Sequence, residues 1–329
     1  MARQIISQHT HVKVYHGYGH KHNLTIYGHV YEKKSEAGRN YHNNILSNII
    51  YLVSLFLIKP VAGAKVQLVW RSQILNGISE KDGFYKFEWE SDDDVAAGWH
   101  TVTVHLLDEA GNIAKSGAGK VFVPHLTQFG FISDIDDTVM ISYSASIFKR
   151  LSVLFTRNPR SRSAFDNVGR HYKLLSEAHT TALVPNPFFY VSSSEWNLYD
   201  DLNEFFRFNA LPEGTFLLSQ VKRWYQLLRT GKTMHEGKLL RVSRVLNAFP
   251  LQQFILIGDN SQADPYIYEM ICEKHPEKIF AVYIRSVIEK KVPATKELLS
   301  NIEKSGIFTC LFTNNEEAII HSKKIGLIN

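Results

Sequence analysis

The stretch FGFISDIDDTV at residues 129–139 divides the chain into two patterns. Its first five residues form an apolar run of strand length, and Asp134, Asp136 and Asp137 follow at once. Beyond it, strand-length apolar runs alternate with amphipathic segments of helical period. The runs are 129–133, 187–191, 254–257, 279–283 and 307–311; the helical segments lie near 165–177, 197–209, 236–248, 264–274 and 314–322. Continuous apolar strands separated by helices imply an α/β fold, a parallel sheet with helices on both faces. In such sheets ligands bind outside the carboxyl ends of the strands.

Upstream, the period changes to two. NLTIYGHV (23–30), AKVQLVW (64–70), FYKFEWE (84–90), HTVTVHLL (100–107) and GKVFV (119–123) alternate as half-buried strands do. Asp82-Gly83 and Ala110-Gly111-Asn112 supply turn chemistry. Short strands spaced by such turns predict a small β-sandwich, transthyretin- or immunoglobulin-like. Pro124-His125 reads as the linker, so the expected domains are 1–125 and 126–329. The apolar run ILSNIIYLVSLFLI at 45–58 is expected as a helix inserted in the sandwich. A membrane span needs about 20 such residues, so no transmembrane segment is predicted.

Composition narrows the class. The chain has 329 residues, 44% hydrophobic and 21% charged, which excludes collagenous and disordered readings. Two cysteines, Cys272 and Cys310, make neither a disulfide framework nor a thiolate zinc site. The first residues lack the apolar core of a signal peptide, and a cytoplasmic protein is expected. A formal charge of +5 is too mild to indicate nucleic acid. Five early histidines, His9, His11, His16, His20 and His22, have no carboxylate or cysteine among them and are read as a polar entry segment. Trp89 and Trp99 are read as core.

The chemistry-bearing residues follow the apolar runs. Asp134 and Asp136 are two apart and point to one side as the strand ends. Their mutual repulsion calls for a divalent cation, or for a division of labour between nucleophile and proton donor. The bland alternative is an acidic turn. After NPFFYV come Ser192, Ser193 and Ser194, which could hold a phosphate oxygen or cap the next helix. After FILI come Gly258 and Asp259, with Asp264 before Pro265; Asp264 could be a second metal ligand or an N-cap. Lys238 opens the helix between these runs, where a lysine could neutralise a phosphoryl group or be plain surface.

In this order the four motifs resemble the haloacid dehalogenase (HAD) phosphatase superfamily. DIDDTV (134–139), RNPRSR (157–162), YVSSSEWNLYD (190–200), FILIGDNSQADPYIYE (254–269) and AVYIRSV (281–287) resemble, more closely, the actin-patch-associated phosphatidate phosphatase family. HGYG (16–19) followed by a sandwich also fits that family's layout. The resemblance implies a HAD-like Rossmannoid catalytic domain and a Mg2+-dependent phosphatase. It implies Asp134 as nucleophile, Asp136 as proton donor and then base, and Lys238 as charge stabiliser. Thr138, Ser192, Ser193, Arg157 and Arg160 would bind substrate. Asp259 and Asp264 would hold Mg2+ with Asp134 and the backbone carbonyl of Asp136. Two positions depart from the pattern: Gly237, not His, precedes Lys238, which makes Lys232 the second candidate for the lysine, and Asn260 stands where relatives often carry Ser.

The segment after the first motif has no acidic residue between Asp137 and Asp166. It carries Lys149, Arg150, Arg157, Arg160 and Arg162, with Ile147, Phe148, Leu151, Leu154 and Phe155 at helical spacing. Such a flap suits an anionic membrane surface, and QVKRWYQLLRTGK (220–232) repeats the combination. The favoured substrate is therefore a lipid phosphate, phosphatidate above others, and the expected protein is peripheral on the membrane. The alternatives are a soluble phosphomonoester bound by the same arginines and, in another class, an adaptor that binds a partner or membrane through the sandwich and helix 45–58.

Overall fold

The structure, a computed structural model, describes residues 7–32, 45–142, 158–219 and 234–329. Lys149, Arg150 and Arg157 of the basic segment, and Trp224, Tyr225 and Lys232 of the second one, lie outside the described residues. The chain divides into two compact units, Met1–Ala37 with Val53–His125, and Gly38–Leu52 with Leu126–Asn329.

The first unit contains β1 (His11–Val14), β2 (Gly17–His20), β3 (Asn23–Tyr31), β4 (Lys65–Trp70), β5 (Gln73–Ile78), β6 (Phe84–Trp89), β7 (Gly98–Leu107) and β8 (Ile113–Val123). Their order is β1-β3-β2-β8-β7-β4-β5, with β6 paired to β3. The period-two rows turn inward as expected: Val66, Leu68 and Trp70 from β4, Tyr85, Phe87 and Trp89 from β6, and Val102, Val104 and Leu106 from β7 meet in one buried core. This arrangement fits a β-sandwich. The strands the sequence reading lacked, β1, β2 and β5, give weak signals. β1 and β2 have four residues each, and β5 turns Ile74 and Ile78 to solvent. HGYG supplies β2, where a Cβ on Gly17 would sit 2.0 Å from the Thr25 carbonyl oxygen of β3. Only glycine permits that approach.

Helix α1 (Ile45–Phe56) covers the expected apolar run but does not belong wholly to the sandwich. Residues 45–52 group with the second unit, where the Tyr51 hydroxyl donates to Asp201 Oδ1 at 2.7 Å. Among the described residues, no helix is long and apolar enough to cross a membrane.

The second unit is a mixed α/β structure with a parallel sheet. Its elements are β9 (Gly130–Ser133), α2 (Val168–Ser176), β10 (Phe188–Glu195), α3 (Tyr199–Phe208), β11 (Thr215–Ser219), α4 (Met234–Ala248), β12 (Phe254–Asp259), α5 (Asp264–Lys274), β13 (Ile279–Arg285), α6 (Val292–Glu303), β14 (Phe308–Phe312) and α7 (Asn315–Lys324). The strand order is β11-β10-β9-β12-β13-β14, and every pairing is parallel. Helices α4, α5 and α6 pack in succession, and α2 packs on α7. The unforeseen elements are β11, a five-residue edge strand, and α6, whose buried row of Thr295, Leu299 and Ile302 is weakly apolar. From β9 the chain steps to β10 on one side and returns through β12 on the other. That reversal opens the crevice in which such sheets bind ligands.

One buried base gives the first unit a pH signature. His29 stacks on Tyr31 and its Nδ1 lies 3.0 Å from the Tyr15 hydroxyl. Burial lowers its pKa from 6.5 to about 3. The folded state keeps this imidazole neutral, whereas the unfolded chain takes up a proton below pH 6.5. Stability is therefore lost as pH falls from 6.5 toward 3, at up to about 1.4 kcal/mol per pH unit from this group. Denaturant titrations between pH 7 and pH 4 should show a shallower pH slope for His29→Gln than for the unsubstituted protein.

Candidate active site

Asp134 is the first residue beyond β9, and its amide donates to the Ile257 carbonyl of β12 at 2.8 Å. This bond pins the loop 134–138 to the crossover. Asp137 takes a left-handed conformation, φ 63°, and its Oδ1 accepts from the Ser142 amide at 2.9 Å. The third aspartate of the motif thus closes the turn. Thr138 Oγ1 lies 3.3 Å from Asp134 Oδ2 and 3.3 Å from Asp259 Oδ2, joining the ends of β9 and β12.

Lys238 occupies the buried row of α4, one turn before Val242. Its Nζ donates to Asp134 Oδ1 at 2.6 Å and to Asp264 Oδ1. Burial works against the ammonium, but Asp134 and Asp264 outweigh it and raise the pKa above the ordinary lysine value. Asp264 begins α5 yet makes no side-chain cap; it faces Lys238, and its Oδ2 lies 3.4 Å from the Asp259 amide. Gly258 makes room for it, since a Cβ there would sit 2.5 Å from Asp264 Oδ2.

Asp134, Asp259 and Asp264 are buried and each offers an oxygen within 4.8 Å of the others. Burial, then repulsion from Asp264, pushes the Asp259 carboxyl up to about 7. Burial likewise raises Asp134 well above the ordinary carboxylate range; Lys238 opposes this, and Asp264, Asp259 and Asp136 add to it. An oxygen-only donor set under this repulsion suits a hard divalent cation.

The carboxylate of Asp136 stands apart from that trio. Its Oδ2 accepts from Ser192 Oγ at 2.9 Å and Ser194 Oγ at 3.3 Å, both at the carboxyl end of β10. The Ser194 amide donates to Ser192 Oγ at 2.9 Å. Ser192 and Ser194 share one side of the strand, whereas Ser193 is half-buried and not part of this network. Period two along β10 was the signal for Ser194.

Arg160 and Arg162 point to α3. Arg160 Nε donates to Glu204 at 2.6 Å, and Arg162 pairs with the buried Asp201, which Tyr51 also contacts. Arg285 was not singled out by sequence. Its guanidinium is buried between Phe165 and Phe312, and it donates to the carbonyls of Thr138 and Thr313 and to Asn315 Oδ1. It anchors the loop of the first motif through the Thr138 carbonyl. Asn260 receives the Val287 and Ile288 amides and donates to the Ile288 carbonyl, so its side chain clasps the 287–288 loop.

Residues 129–286 match the family model described as phosphatidate phosphatase APP1, catalytic domain. This segment of the chain belongs to that family. Phosphatidate phosphatase APP1 of Saccharomyces cerevisiae is 30% identical over 165 residues, which span 47% of this chain and 25% of the yeast protein. An uncharacterized protein of Schizosaccharomyces pombe is 25% identical over 173 residues, 50% of this chain and 27% of its own length. The chain therefore spans about a quarter of the length of these two relatives. Fibronectin(III)-like modules of Clostridium thermocellum CbhA align at 14% identity, covering 34% of this chain and 95% of theirs at TM-score 0.18. That likeness is too slight to carry an argument.

Lys238→Met leaves two buried carboxylates without their cation. Denaturant unfolding at neutral pH should show a loss of about 3–5 kcal/mol. Adding Asp134→Asn to that variant should recover part of the loss.

Proposed function

We propose that this chain is a Mg2+-dependent phosphatase that hydrolyses phosphatidate, or a related lipid phosphate, through an aspartyl-phosphate. The observation that carries the reading is the convergence of Asp134, Asp259, Asp264 and Lys238 on one pocket, with Asp136 beside Ser192, at the carboxyl ends of β9, β10 and β12. This is the placement a HAD-like catalytic domain requires, and we read residues 126–329 as that domain and 1–125 as the sandwich domain before it.

Asp134, Asp259 and Asp264 would hold Mg2+, which supplies charge neutralisation at the phosphoryl oxygens. A carboxylate oxygen of Asp134 bonds to phosphorus as the ester oxygen departs, and the departing alkoxide takes its proton from Asp136. Asp136 then removes a proton from water. The water oxygen bonds to phosphorus, the bond to Asp134 breaks, and the carboxylate is restored. Lys238 offsets charge at Asp134 throughout, while Thr138 and Ser192 supply hydroxyl donors to the phosphoryl group.

The lipid assignment is supported by the basic, apolar-spaced segment 143–162 and by the yeast relative being a phosphatidate phosphatase. It implies a cytoplasmic protein that meets an anionic membrane at its surface. Phosphate release should be measured with Mg2+ over phosphatidate vesicles and over soluble phosphomonoesters. Vesicles should be preferred, EDTA should abolish release, and Asp134→Asn should lower it roughly 10^3-fold or more. Activity that survives EDTA or Asp134→Asn would reject the mechanism. Preference for soluble esters, without vesicle binding at low salt, would reject the lipid assignment.

A further inference from the structure

Arg241 lies one helical turn beyond Lys238 on α4. Its Nη2 donates to the Ser192 carbonyl at 3.3 Å, which fixes the side chain against the carboxyl end of β10. The other donors are not spent in this way. Nε is enclosed and finds no hydrogen-bond partner among the described residues. Nη1 lies beside Gly237, where a Cβ would come within 3.4 Å of it. A guanidinium has five N–H donors, and enclosing one without an acceptor costs free energy. A tether between α4 and β10 would need Nη2 alone.

The local charge points the same way. Asp134 and Asp264 share the ammonium of Lys238, and the carboxylate of Asp259 lies beside them. A phosphomonoester brings up to about two further negative charges. Burial, and then Arg244, lower the Arg241 pKa to about 10, while Asp134 supports the charge, so the guanidinium stays cationic at neutral pH and within electrostatic reach of the nucleophile.

We propose that Arg241 is a substrate-binding residue whose guanidinium, hinged on the Ser192 carbonyl, forms the second cationic contact to the phosphoryl oxygens beside Lys238. The proposal rests on the phosphatase reading above and adds to it a residue outside the four motifs. A planar fork of donors matches phosphate oxygens better than a lysine does.

The test is titration calorimetry with inorganic phosphate in excess MgCl2, on the full chain and on Arg241→Met and Arg241→Gln, with melting temperature read alongside. Gln keeps an N–H for the Ser192 carbonyl and removes the charge. Both variants should bind phosphate about tenfold more weakly, the size of one charged hydrogen bond, and the phosphatase KM should rise with them. Unchanged phosphate affinity in Arg241→Gln, or in Arg241→Met, would overturn the proposal and leave Arg241 a tether. A wild-type chain that binds no phosphate would overturn it too. Failure of the phosphatase reading shows separately, as a wild type that binds phosphate yet hydrolyses no ester.

Discussion

The ammonium of Lys238, held between Asp134 and Asp264, is the interaction on which the site depends. Three buried carboxylates that each offer an oxygen within 4.8 Å of the others would repel, and burial pushes the carboxyls of Asp134 and Asp259 up. A buried lysine with two carboxylate partners keeps charge there tolerable. The three partners come from the end of β9, the second turn of α4 and the first turn of α5. The crossover of the parallel sheet is what sets those three ends side by side.

Behind this pocket the polar groups are committed to holding the loops. Arg285 carries the Thr138 carbonyl and the Asn315 side chain, and Asn315 in turn donates to the Asp166 carbonyl and contacts His171. Asn260 does the same for residues 287 and 288. Through Arg285 the loop of the first motif is tied by its Thr138 carbonyl to Asn315 and the Thr313 carbonyl. Rigid bracing of that kind lets a site keep like charges together without relaxing.

The arginines after the first motif separate into two groups. Arg160, expected to bind substrate, pairs with Glu204, and Arg162 pairs with Asp201, so both tie residues 158–162 to α3; Tyr51 of the apolar helix also reaches Asp201. The buried guanidinium of Arg162 meets its need for a carboxylate through Asp201. Arg241, outside any motif, donates to the Ser192 carbonyl at the end of β10 and lies within electrostatic reach of Asp134.

Much of the architecture was legible in the order of residues. The change from period two to strand-and-helix alternation near residue 129 is a local property, because side-chain direction along a strand or helix follows from the backbone itself. The aspartates, serines and lysine beside apolar runs were legible for the same reason. Short edge strands such as β11, and α6 with its threonine-bearing buried row, were not, because few side chains there report on burial. What the tertiary structure alone decided is which groups meet. Lys238 reaches Asp134 across 104 residues, Ser194 rather than Ser193 faces Asp136, and Asp264 leaves the helix cap for the pocket. Those outcomes depend on strand order and helix rotation, which long-range packing settles and which no local pattern encodes.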